Sequence, residues 1–305
     1  MKAIVLNEYG GPENLKFADR PDPEPGAGQV KIRVRSASIN PIDWKLRSGA
    51  NKRAMPLELP AVLGRDAAGE VVSVGRGVSA FQVGERVLGL VNGGYAEFVV
   101  ANADAFAKVP EGMPLEDAGA YPLVLLTGDQ LADATLGASH GGASGLTVLV
   151  TGALGAVGRT TLWVLKQRGA RVLAGVRGKQ LDAAKKLGAD GIIALDDDDS
   201  IARLPELDRI ADTVSGETIA KLLPKLKKGG AIGSVLGEPP GAKERGIPVN
   251  AFHAHPDSRR LSELAAAVAE GKLIIPIERR FPLARASEAQ ALAEHGGVAK
   301  ILLNP

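Results

Sequence analysis

Apolar and polar positions alternate in short bursts through the first part of the chain. In Val30-Lys31-Ile32-Arg33-Val34-Arg35 the apolar side chains fall on one face of an extended chain and the charges on the other, which is the period-two pattern of a strand with one face in the core. Similar β-branched runs recur at 69–74, 86–90 and 95–100, with turn residues between them. Up to about Pro110 this cadence predicts an antiparallel, barrel-like β domain. Beyond Pro110 the texture changes. Residues 116–136 place apolar side chains at helical spacing, and 137–145 is a Gly- and Ser-rich turn or linker. Leu146-Thr147-Val148-Leu149-Val150 then runs apolar, as a buried parallel strand does. A helix at 157–168, a strand at 171–176, a helix at 179–187, a strand at 191–194 and further alternation to a strand at 231–236 complete a doubly wound pattern. A helix at 258–270 and strands at 273–277 and 298–303 break that cadence and are expected to return to the first domain. The reading is an α/β chain, with a doubly wound parallel domain at 122–253 inserted into a β domain made from 1–121 and 254–305.

Composition narrows the chemistry. The chain has 305 residues, 45% hydrophobic and 24% charged, and buries a sizeable core. It has no cysteine, which removes disulfides, thiolate nucleophiles, iron–sulfur clusters and Cys-bound zinc from consideration. Lys and Arg number 37 against 35 Asp and Glu, for a formal net charge of +2, so no nucleic-acid partner is expected. Apolar runs such as Pro122-Leu123-Val124-Leu125-Leu126 fall far short of the ~20 residues that a membrane-spanning helix needs. The opening Met1-Lys2-Ala3-Ile4-Val5-Leu6 turns polar at Asn7, without the apolar stretch of a signal peptide. A soluble protein in a reducing, cytoplasmic setting is expected. The acidic run 196–199 reads as a solvated loop after a strand.

One motif carries chemistry. Thr151-Gly152-Ala153-Leu154-Gly155-Ala156-Val157-Gly158 follows a buried strand, opens a helix and precedes a second strand by about twenty residues, which is the context of a dinucleotide-binding loop. Gly155 lets the backbone approach a pyrophosphate, Gly158 lets the helix pack closely, and the helix start offers free N–H groups. The alternative is a tight turn that binds nothing. At the end of the second strand, Gly175-Val176-Arg177-Gly178-Lys179 holds no carboxylate for a ribose 2′-hydroxyl. Arg177 and Lys179 suit a 2′-phosphate instead, which points to NADPH, unless both are solvated loop cations.

Several segments together resemble the zinc-independent quinone oxidoreductase branch of the medium-chain dehydrogenase/reductase superfamily. They are Ser38-Ile39-Asn40-Pro41-Ile42-Asp43-Trp44-Lys45, Leu63-Gly64-Arg65-Asp66-Ala67-Ala68-Gly69-Glu70-Val71, Gly84-Glu85-Arg86-Val87, Gly94-Tyr95-Ala96-Glu97-Phe98, the run from Pro122 to Thr127, the glycine loop, Asp212-Thr213-Val214 and Ala299-Lys300-Ile301-Leu302-Leu303, in family order. The resemblance implies a GroES-like catalytic domain around an inserted Rossmann domain, with the active site in the cleft. Zinc-dependent relatives use a Cys and a His where this chain has Ile39-Asn40 and Arg65-Asp66, so no metal is expected. His253 and His255 are two apart, and His140 and His295 lie far away in sequence, so the histidines do not restore a site.

Without a metal to polarise a carbonyl, the substrate must already accept hydride readily, as quinones and α,β-unsaturated carbonyls do. The resemblance puts Asn40 and Thr127 beside the nicotinamide and adds Val214 and Leu236 to the cofactor contacts. Asn40 also suits a turn opener, and Thr127 a helix cap. Lys45 is the candidate proton donor or oxyanion partner, set against a plain exposed lysine; Tyr95 is a second donor candidate, and Asp43 a loop organiser. Two departures stand out: Leu195 occupies the place of a family Tyr that contacts cofactor, and 239–255 matches no family signature. Relatives pair the edges of their Rossmann sheets, which makes 230–237 the candidate edge of a homodimer. The alternative function is an NADPH-binding protein without turnover.

Overall fold

The computed structural model describes residues 1–137 and 142–305, so His140 lies outside the described residues. The chain divides into two compact units, Met1–Leu123 with His255–Pro305, and Val124–Ala254.

The first unit is built around the strand Gln29–Ser38, which pairs antiparallel with Asp66–Val74, Phe98–Asn102 and Lys300–Asn304. Arg86–Leu90 and Phe106–Lys108 extend the sheet on one side, and Ile277–Pro282 on the other. Lys2–Leu6 forms a smaller sheet with Leu15–Asp19 and Ala61–Val62. Alternation holds over Ile32 to Arg35, but Lys31 is buried and paired with Glu24, its ammonium over the Phe98 ring. From Ser36 to Ser38 every side chain is fully buried, and two hydroxyls enter the interior. Gly69 is required where this strand meets its neighbour, since a Cβ there would stand 1.9 Å from the Arg33 carbonyl oxygen. The apolar core joins Ile4, Ile32, Val34, Val87, Phe106 and the late Ile301 and Leu303.

The structure corrects some expected element bounds. Tyr95 precedes its strand, which is Phe98–Asn102. The helix expected at 116–136 is two, Leu115–Ala118 and Pro122–Leu136. Gly119, between them, sits so close to Ser36 that a Cβ would be 2.4 Å from its carbonyl oxygen. The strand expected at 273–277 begins only at Ile277.

The second unit is a six-stranded parallel sheet in the order Gly191–Ala194, Arg171–Val176, Thr147–Thr151, Leu207–Asp212, Leu226–Ser234, Val249–Ala251. This is the strand order of a doubly wound dinucleotide-binding fold, whose order reverses beside the first strand. Leu149, Leu173, Leu207, Ile210 and Ile232 make its core. The stretch expected as one helix at 179–187 is three short turns, because only Ala184 has an apolar interior to pack on. The strand Leu226–Ser234 is internal, not an edge: Ile232, Gly233 and Ser234 pair with Val249, Asn250 and Ala251. The acidic run is solvated as expected but only half loop: Asp196 lies in a turn, and Asp197 caps the helix Asp198–Ala202 by accepting from the Asp199 N–H. Among the described residues no helix is long and apolar enough to cross a membrane.

Candidate functional site

The strand Thr147–Thr151 ends in a loop whose glycines are imposed by space. Gly152 is left-handed at φ +61°, and a Cβ on it would lie 2.4 Å from the Thr213 hydroxyl and 3.1 Å from a Val214 methyl. At Gly158 a Cβ would meet the Gly152 carbonyl oxygen at 2.3 Å, so the helix Ala156–Gln167 can start against the loop only without one. Gly155 caps that helix in an extended conformation, and its one near neighbour is the Gly152 oxygen, 3.2 Å from where a Cβ would be. The first N–H groups of the helix lack intrahelical acceptors and carry the positive end of its dipole. Arg159 Nε donates to the Leu154 carbonyl at 3.0 Å, holding a half-buried cation beside the loop, its pKa lowered by burial. A pyrophosphate fits this arrangement in both charge and shape.

A buried carboxylate, assigned no role from sequence, organises the neighbouring strand ends. Asp212 Oδ1 accepts from the Val214 and Ser215 N–H groups, each at 2.9 Å, and from Thr151 Oγ1 at 3.2 Å, while Oδ2 accepts from Ser234 Oγ at 3.0 Å. Ser234 Oγ in turn accepts the Leu236 N–H. Val214 and Leu236 are thereby held as exposed apolar side chains, 41% and 40% accessible, at adjacent carboxyl ends of the sheet. Thr127 is half-buried inside the helix Pro122–Leu136 and caps nothing. The next residue, Gly128, brings this helix onto the glycine-loop helix, where its carbonyl accepts from Thr161 Oγ1 at 3.0 Å.

Arg177 and Lys179 are exposed, with no ion pair among the described residues. The segment itself has no carboxylate, but the fold supplies one: Asp196, after the next strand, accepts the Gly178 N–H at 2.6 Å and fixes the turn between the two cations. Leu195 packs over Gly175, where a Cβ would be 2.7 Å from its methyl.

In the first unit a polar cluster forms where the C-terminal strand meets Gln29–Ser38. Asn40 is 1% exposed, and its hydrogen-bonding capacity goes to interior partners: Nδ2 donates to Asp66 Oδ2 at 2.7 Å, and Oδ1 accepts from Lys300 Nζ at 2.8 Å. Its influence on chemistry therefore runs through the helix it starts, Pro41–Arg47, whose inward residues are Asp43, Leu46 and Arg47. Asp43 Oδ2 accepts the Asn40 N–H and the Tyr95 hydroxyl, each at 2.8 Å. Tyr95, fully buried in this bond, is an internal strut and not a surface donor. Arg47 donates to Gln290, Glu294 and the Gly10 carbonyl. Lys45 stays half-buried on the outward side of this clamped helix.

Burial pushes the Asp43 carboxyl up to about 7, against the bonds from Tyr95 and Asn40, and Asp43 Oδ1 has no hydrogen-bond partner among the described residues. Burial also raises the Tyr95 phenol well above its ordinary range. The raised Asp43 value has a signed consequence. The folded chain keeps a proton that the unfolded chain releases above about 4, so stability falls as pH rises toward about 7 and is level beyond. Asp43→Asn mimics the protonated form and removes this slope. Melting curves should show the loss between pH 5 and pH 7.5 shrinking by about 5 °C or more relative to the parent chain; an unchanged loss would contradict the assignment.

Zinc does not fit these residues. The stretches at Ile39-Asn40 and Arg65-Asp66 offer one carboxylate, already engaged by Ser38, Asn40, the Leu123 N–H and Lys300. Among the described residues no group of three or more His, Cys, Asp or Glu is placed to hold a metal ion, and His253, His255 and His295 are exposed.

Comparison with known proteins places this geometry. Residues 26–111 match the alcohol dehydrogenase GroES-like domain, and 187–302 match the zinc-binding dehydrogenase family. A mouse mitochondrial protein, NAD(P)H oxidoreductase RTN4IP1, is 30% identical over 97% of this chain and 87% of its own. The quinone oxidoreductase of Coxiella burnetii superposes with a TM-score of 0.88 at 30% identity, covering 100% of this chain and 99% of that one. A mycobacterial protein solved in complex with NADPH gives a TM-score of 0.83 at 29% identity over 100% of both chains. A GroES-like β unit with a doubly wound coenzyme unit and a nicotinamide cofactor defines a medium-chain oxidoreductase. The chain belongs to the quinone oxidoreductase branch of the medium-chain dehydrogenase/reductase superfamily.

Proposed function

We propose that this enzyme reduces quinones or α,β-unsaturated carbonyls, that its cofactor is NADPH, and that it works without zinc. Residues 122–253 form the coenzyme domain in this reading, and 1–121 with 254–305 form the catalytic one. The carrying observation is the loop Gly152 to Gly158, where Gly152 and Gly158 are sterically required and the helix start is an anion site, beside a strand end with two exposed cations that make no ion pair among the described residues. The NADPH complex of the mycobacterial neighbour supports the same cofactor.

When bound, NADPH supplies the hydride. The main chain of Gly152, Ala153, Leu154, Gly155, Ala156, Val157 and Gly158 holds the pyrophosphate. Arg177 and Lys179 pair with the 2′-phosphate through charge-assisted bonds. Val214, Leu236 and Thr127 position the rings, Asn40 fixes the helix that presents Lys45, and the Lys45 ammonium meets the oxygen that gains charge. Because the donor set does not suit zinc, the substrate's own conjugation must lower the barrier.

Mixing the protein with NADPH and a panel of quinones and enones should oxidise the coenzyme, seen as loss of its near-ultraviolet absorbance. Tight binding with no oxidation across the panel would favour a non-catalytic role instead. A homodimer and a cytoplasmic location belong to the same proposal. The exposed strand Val249–Ala251 is the edge for pairing, and light scattering should give twice 31.5 kDa. Cell fractionation tests the location.

A further inference from the structure

Lys300 is a buried ammonium, 6% exposed, that the coenzyme site does not use, and its surroundings form a cage. Its Nζ donates to Ser38 Oγ at 2.6 Å, Asn40 Oδ1 at 2.8 Å and Ile39 O at 3.3 Å, and lies 3.7 Å from Asp66 Oδ2. An ammonium has three protons, and three oxygens take them. The cage sorts the Asn40 amide: its oxygen faces the ammonium and its NH₂ faces the carboxylate, and a flip would turn both contacts repulsive.

Two helices begin at this cage. Asn40 precedes Pro41–Arg47, the helix of Lys45, and binds it back through Asp43. Asp66 Oδ1 accepts at 2.6 Å the N–H of Leu123, second residue of Pro122–Leu136, the helix of Thr127. A buried ion pair contributes little net stability compared with an apolar replacement of the same shape, so its use is better sought in what it fixes.

We propose that Lys300 is a positioning residue for hydride transfer: its caged ammonium, acting through Asn40 and Asp66, fixes the starts of both helices and with the first of them the placement of Lys45. This rests on the role proposed above for Lys45. Burial lowers the Lys300 pKa, and the Asp66 and Asp43 carboxylates facing it oppose that shift.

The absence of cysteine makes a selective test available, since K300C introduces a unique thiol. Alkylated in the unfolded state with 2-bromoethylamine and refolded, it regains an ammonium of nearly lysine length; iodoacetamide gives a neutral group. K300M should lower kcat at least tenfold with the Kd for NADPH changed less than twofold. The aminoethylated protein should recover to within threefold of the parent, and the neutral adduct should not. K300M/D66N removes both charges without stranding a carboxylate, and should fold yet stay slow. Parent-like kcat in K300M or in the double variant overturns the proposal, as does equal recovery by both adducts. Should the parent turn over no acceptor, the functional reading falls, and hydrogen exchange at the Leu123 amide decides the positioning itself. Exchange at least tenfold faster in K300M, reversed by aminoethylation, supports it; unchanged exchange contradicts it.

Discussion

Replacing Gly158 by valine is expected to weaken NADPH binding at least a hundredfold and to remove turnover with it. A Cβ at 158 would stand 2.3 Å from the Gly152 carbonyl oxygen and 2.8 Å from the Ala153 Cα. Both are backbone atoms, so no side chain can swing away, and the helix start must shift relative to the strand that feeds it. Overpacking of this kind costs roughly 1–3 kcal/mol. The loss of affinity, ~2.7 kcal/mol for a hundredfold change, comes from N–H groups no longer aimed at the pyrophosphate. Gly155 gives the matching control. A Cβ there meets only one oxygen, at 3.2 Å, so Gly155→Ala should fold like the parent while still weakening the coenzyme, because the methyl enters the anion's side of the loop. Fluorescence titration of NADPH, with circular dichroism to follow folding, separates the two. Parent-like affinity in Gly158→Val would refute the loop's role.

The second large effect concerns coenzyme choice. Arg177→Ala combined with Lys179→Ala should raise the KM for NADPH about thirtyfold and leave that for NADH nearly unchanged, since hydrogen bonds to charged groups are worth roughly 1.5–3 kcal/mol. Both side chains are exposed and make no ion pair among the described residues, so their removal strands no partner inside the fold. The turn between them is held independently by Asp196 on the Gly178 N–H. An equal rise for both coenzymes would mean that the pair acts on the pyrophosphate or on the turn, and not on the 2′-phosphate.

Much of this was legible in the sequence because it is local. The strand, loop and helix around Gly152 to Gly158 lie within a short stretch of chain, and the apolar run before the loop marks a buried parallel strand. The C-terminal strand and its change of cadence were also readable. What the sequence hid is assembled across distance. Lys300 meets Ser38 over 262 positions, through the antiparallel register that sets Leu302 against Ser38. Asp66 joins them from a third strand, so no spacing rule could point to this cluster. Asp196 likewise reaches the Arg177 turn from the neighbouring strand, and Asp212 acts on ends of strands it does not adjoin in sequence. The edge of the parallel sheet is hidden in the sequence for a related reason. Val249–Ala251 has three residues and one β-branched side chain, too little pattern to announce the strand that covers Leu226–Ser234. Lys31 broke the expected alternation because its ammonium found both Glu24 and the Phe98 ring, which let it turn inward.

Dialysis against a strong zinc chelator, followed by metal analysis and an assay of NADPH oxidation with a quinone or enone, bears most directly on the claim that this site moves hydride without a metal. Metal-free protein with undiminished turnover is the expected result. Activity that disappears with the metal and returns on adding zinc would contradict it.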